Sequence, residues 1–134
     1  MKNLFAQKEI FKVKSMPLDP SKMDQPTTAD EFQHRGMAYY ARKEHSAAEA
    51  DLKKAISLEG NNIDAFYSLG MVYKAMNCNA EAVDAFNNVL NLVGVKTASN
   101  KTRFDMLRRL ALGHINEMTQ GDWNLEKEIW HRIA

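Results

Sequence analysis

The sequence predicts an all-α fold, a short solenoid of antiparallel helix pairs, and two observations carry that prediction. The first is a repeat: sliding the chain on itself by 34 residues brings Phe32 onto Phe66, Gly36 onto Gly70, Met37 onto Met71, Tyr39 onto Tyr73 and Ala41 onto Ala75. The match continues through Ala48 and Ala82, Leu58 and Leu92, and Gly60 and Gly94, with like-for-like exchange of Leu52 for Phe86 and of Ala55 for Val89. A fixed period with aromatic, small and large apolar residues recurring in order marks a helix-turn-helix repeat that buries its faces against its neighbours. The second is helical spacing of apolar residues between cap and turn signals.

Taken in order, residues 2–14 set Leu4, Phe5, Ile10, Phe11 and Val13 among polar residues, a pattern that permits a short amphipathic helix or, toward residue 14, a strand. Pro17, Pro20 and Pro26 follow, and because they lack amide donors and push the preceding residue toward extended geometry, 15–27 reads as an extended linker. Residues 1–26 are thus expected to form an N-terminal segment, and 27–134 a repeat domain.

Thr28 followed by Glu31 is a capping-box pattern that starts a first helix over about 29–43. Ser46 and Glu49 repeat that signal ahead of Ala48, Leu52, Ala55, Ile56 and Leu58, which share one face of a second helix that Gly60 would stop. A second unit over about 63–94 copies the first, with Phe66, Leu69, Gly70 and Tyr73 before the Asn77 to Asn79 break and Ala82, Phe86, Val89 and Leu90 after it. A connector over about 93–100 leads to a long helix over about 101–119 with Leu107, Leu110, Ala111, Ile115 and Met118 on it. Gly121, Asp122 and Trp123 then make a turn, with Asp122 as the N-cap of a closing helix carrying Leu125, Ile129, Trp130 and Ile133. Gly113 echoes the repeat glycine but lies 43 residues after Gly70, so the third pair, 101–134, is degenerate.

Composition bounds the function. A chain of 134 residues with 45% hydrophobic content and a mean hydropathy of -0.48 fits one soluble globular domain. Eighteen basic against 17 acidic residues leave no single-sign field to hold a nucleic-acid backbone or an anionic bilayer, so neither is expected as a partner. The single Cys78 excludes an internal disulfide and fits a reducing compartment. With no continuous apolar run at the start and no membrane-length apolar stretch, the expected location is cytoplasmic.

The recurring residues resemble the tetratricopeptide repeat family, whose motif carries an aromatic, a Leu-Gly pair and a Tyr on the first helix, and an Ala, an aromatic and an Ala on the second. Phe32, Gly36, Tyr39, Ala48, Leu52 and Ala55 fill these slots in the first unit, and Phe66, Leu69, Gly70, Tyr73, Ala82, Phe86 and Val89 in the second. Departures are Arg35 where Leu is usual, Val89 where Ala is usual, and Gly60 and Gly94 where the family often ends a unit with Pro. The resemblance covers about 27–95 closely and 101–134 loosely. It implies a right-handed α-solenoid of about two and a half to three units, in which the motif residues are core rather than a site.

Catalytic chemistry has no foothold in the sequence. His34, His45, His114 and His131 show no paired spacing on one helix face with a further ligand nearby, so no metal site is expected. Cys78 has no adjacent His or basic residue to activate a thiolate. No Gly-rich phosphate loop, nucleophile elbow or catalytic carboxylate pair is present, and the expectation is a non-enzyme without cofactor.

The resemblance further implies that the first helix of each pair lines a concave groove on the side away from Phe32, Gly36 and Tyr39. Gln33, His34, Met37, Tyr40 and Ala41, with Tyr67, Ser68, Met71, Lys74 and Ala75, should then face it, and of these Met37, Tyr40, Tyr67 and Met71 should contribute little to the fold. Two Met and two Tyr offer an adaptable apolar lining with hydrogen-bonding tips, suited to a peptide segment or a helix, unless the chain's own terminal segments cover them. The family's clamp for the C-terminal carboxylate of chaperone tails is not expected, because Gln33 and Met37 stand where its first Lys and Asn would be and Ser68 where its second Asn would be. The expected function is a non-catalytic interaction module binding protein or peptide; the alternatives are a self-assembling homo-oligomer or a regulatory subunit of a larger complex.

Overall fold

A computed structural model describes residues 19–94 and 101–123 and places five α-helices among them: α1 (Ala29–Ala41), α2 (His45–Leu58), α3 (Ile63–Ala75), α4 (Asn79–Gly94) and α5 (Lys101–Gln120). No strand occurs among the described residues. The closing helix expected after Trp123, the reading of residues 2–14 and most of the 93–100 connector lie outside them.

Local chemistry explains most boundaries. The Glu31 N–H donates to Thr28 Oγ1 at 3.2 Å and the Thr28 hydroxyl donates to the Glu31 carboxylate at 3.0 Å, which satisfies an orphan amide at the start of α1. Asn62 does the same for α3, accepting from the Ala65 N–H at 3.0 Å. The exits of α1 and α3 are copies of each other: Lys43 and Asn77, 34 residues apart, both take positive φ, at 63° and 61°. Glu44 and Cys78 then donate back to the Tyr39 and Tyr73 carbonyls, each at 2.9 Å, closing the helix ends in the Schellman pattern.

Two expectations are corrected here. No capping box forms at Ser46 and Glu49; α2 starts at His45, behind Glu44, without a side-chain cap, because the tight turn at Lys43 delivers the chain into the helix two residues early. Nor is the described part of the 15–27 segment simply extended. Asp19 accepts from the Ser21 N–H at 3.0 Å and Pro20 opens a 3-10 turn over Pro20–Lys22 that packs on α1, with Pro20 and Pro26 buried.

Packing follows the repeat. Gly36 of α1 lets Leu52 of α2 approach so closely that a Cβ would lie 2.9 Å from Leu52 Cγ, and Gly70 of α3 receives Phe86 of α4 with 2.7 Å to the ring. Buried Ala29, Phe32, Ala55 and Ala65 join α1, α2 and α3; buried Ile63, Ala82, Phe86, Val89, Phe104, Leu107 and Ala111 join α3, α4 and α5. Each pair thus covers the next, as a solenoid requires. Arg35, in the slot that Leu69 fills one unit later, is held by Asp51 of α2 through paired bonds of 2.7 and 2.8 Å. Asp51 in turn stands where unit two has Ala85, so a polar pair replaces an apolar one at the same contact.

A Gly70→Ala substitution should cost about 1–3 kcal/mol, since the Phe86 ring is fully buried and has no room to yield. Gly94→Ala, where an added Cβ meets nothing within 4 Å, is the control. Thermal melts of the two variants should separate clearly; equal melting temperatures would contradict the assigned contact.

Candidate functional site

The first helices α1, α3 and α5 are joined along one side by side-chain hydrogen bonds. Gln33 Nε2 of α1 donates to Ser68 Oγ of α3 at 3.3 Å. Tyr67 Oη lies 3.2 Å from His114 Nε2, and Lys74 Nζ lies 3.0 Å both from His114 Nδ1 and from Glu117 Oε2, which ties α3 to α5. Aligned on Gly113, His114 occupies the position of Met37 and Met71, and Glu117 that of Tyr40 and Lys74. The echo of the repeat glycine, carried one helix further, would have found both residues in the sequence.

His114 is the centre of this row. It is 7% exposed, its ring stacks on Phe86 with centroids 4.9 Å apart and 10° between planes, and the Trp123 indole meets it edge-on at 4.7 Å. Burial, with the Lys74 ammonium alongside, lowers its pKa from 6.5 to about 4, so the ring is neutral at neutral pH. Burial also pushes the Tyr67 hydroxyl up, with Tyr40 close enough to add to the effect. Trp123 reaches this position because Gly113 has no side chain: the indole lies against its Cα, where an added Cβ would collide with it. In the first two units the residue on the glycine comes 16 positions later, as Leu52 and Phe86; here Trp123 comes ten later.

The predicted groove residues divide. Met37 and Tyr40 are half-buried on α1, with Tyr40 5.9 Å from the His45 ring and against the Leu52 cluster. His34 is exposed and borders an open depression of about 510 Å³ with Lys22, Met23, Asp24, Pro26 and Glu31. Ala41 and Ala75 are exposed, Gln33 and Lys74 are half-buried, and Ser68 is buried. Tyr67 and Met71 pack on the cluster around Phe86, with Tyr67 edge-on to that ring at 5.6 Å. The expectation that these two contribute little to the fold is therefore corrected, because α5 packs over the side of α3 that carries them. Among the described residues, no group of three or more His, Cys, Asp or Glu side chains is placed to hold a metal ion, and no helix is long and apolar enough to cross a membrane.

An all-helical chain whose paired helices stack through small-to-large contacts, and whose first helices share one polar and aromatic side, is a helical-repeat scaffold. Residues 36–77 match the family model described as TPR repeat, the family that the recurring residues resemble. Among solved structures it is similar to "Crystal structure of MamA", with 28% sequence identity and a TM-score of 0.52 over 81% of this chain. The match spans 63% of the MamA chain. No curated protein matches the chain.

Proposed function

We propose that this protein-interaction module binds an extended peptide segment or a helix in the concave groove formed by α1, α3 and α5, within a repeat domain spanning 27–134. The observation that carries the reading is the coincidence on one side of the first helices of Met37 and Tyr40, both partly accessible, with the hydrogen-bonded row of Gln33, Ser68, Tyr67, Lys74 and His114. Tyr40 supplies a large contact area at low entropic cost and a polar tip, and Met37 an adaptable apolar one. The chemistry is binding without catalysis, and its specificity lies in the order of groups along the row: apolar at α1, polar between α3 and α5.

Once a partner is in hand, Met37→Ala with Tyr40→Ala should weaken its binding at least tenfold, equivalent to about 1.4 kcal/mol, with helical circular dichroism retained. Titration calorimetry checks the affinity. Unchanged affinity in that variant, with a native spectrum, would remove the groove as the binding face.

A further inference from the structure

The centre of the first-helix row is a directed chain of hydrogen bonds. The Lys74 ammonium has only donors, so at 3.0 Å it makes His114 Nδ1 an acceptor. The buried, neutral ring then carries its proton on Nε2, and that N–H donates to the Tyr67 hydroxyl oxygen at 3.2 Å. With its oxygen accepting from His114, the Tyr67 hydroxyl has its own proton to offer. The Lys74 ammonium meanwhile sits 3.0 Å from the Glu117 carboxylate, whose side chain is 46% exposed. An incoming acidic group would meet a neutralised cation with a carboxylate beside it.

We propose that His114 is a specificity-determining residue of the groove: it holds the Lys74 ammonium against Glu117 and turns the Tyr67 hydroxyl into a donor, so the site takes a neutral peptide segment through a main-chain carbonyl and disfavours acidic ones. The proposal rests on the groove reading above. His114 acts as a positioning residue; the contact to the occupant is made by Tyr67. Phe86 and Trp123 clamp the ring on two sides and fix its orientation.

Two measurements on the full chain test it. Imidazole nitrogen NMR at about pH 7 should show His114 neutral with its proton on Nε2; a proton on Nδ1, or an imidazolium, overturns the proposal whatever the groove binds. Random peptides displayed on phage and selected on the wild type should not be enriched in Asp or Glu. His114→Leu, which removes one of the two partners that hold Lys74 and lets its ammonium turn from Glu117 toward the groove, should raise their acidic content about threefold or more, whereas His114→Gln, which keeps an acceptor and a donor, should leave it at the wild-type level. An acidic wild-type pool, or the same pool from His114→Leu with a native circular dichroism spectrum, overturns it. Selection repeated on Met37→Ala with Tyr40→Ala separates the two readings. Wild-type peptides still held by that variant would refute the groove itself, while the NMR result would stand as a statement about the ring alone.

Discussion

Phe86→Ala should destabilise the protein by about 3–5 kcal/mol, the largest loss expected from any single truncation in the described core. Phe86 is fully buried, fills the seat over Gly70, stacks on His114 and receives the edge of Tyr67. Removing the ring opens a cavity at the junction of α3, α4 and α5, and a close-packed interior collapses into such a space only in part. It also removes the apolar wall that keeps the His114 ring dry. The melting temperature should fall on the order of 10–20 °C. Phe86→Leu, which keeps most of the volume, should lose far less. Similar losses in both variants would mean that the aromatic ring is not the element that seals this junction.

The second large effect is on acid stability. The unfolded chain takes up a proton on His114 below its ordinary value of 6.5, whereas the folded chain does so only near 4. Stability from this group is therefore complete above pH 6.5 and falls as the pH drops toward 4, by about 3 kcal/mol in all. The direction follows from the surroundings: Phe86 and Trp123 exclude water from the ring, Lys74 opposes a second positive charge beside it, and Glu117 only partly compensates. Denaturant midpoints across that range should show a slope in the wild type that His114→Gln lacks. Parallel profiles for the two proteins would contradict the buried, neutral ring.

Much of the fold was legible because the determinants recur. Gly36 and Gly70 could be paired across the period with Leu52 and Phe86, and small-to-large contacts at those positions have one economical arrangement, two helices in close approach. Thr28 was readable as a helix start because its side chain satisfies an amide locally, as Asn62 does for α3 in the structure. The start of α2 was not, since the backbone turn at Lys43, a residue with no intrinsic preference for positive φ, sets it. At Pro20 the preceding Asp19 makes the local 3-10 turn, a signal that three prolines in a dozen residues obscured.

The candidate site was legible in part. Period and family slot placed Met37 and Tyr40 on the first helix, but whether a residue faces solvent or the next helix depends on what packs over it, and packing of α5 leaves Tyr67 and Met71 half-buried against the core. His114 escaped notice because its spacing from the repeat breaks the period, and because a lone histidine offers no motif until its partners on α3 are in place. The seating of Trp123 on Gly113 was not legible for a related reason, since it reaches that position from a turn and not from a helix in register.

The central claim is that the side shared by α1, α3 and α5 is the binding face, and site-specific photo-crosslinking in the native cell tests it most directly. A benzophenone side chain placed at Met37 or at Tyr40 should capture a partner protein, and the same group at Lys54 or Asn88, exposed on the second helices α2 and α4, should not. Capture from Lys54 or Asn88 alone would put the partner on the opposite side of the solenoid and contradict the account.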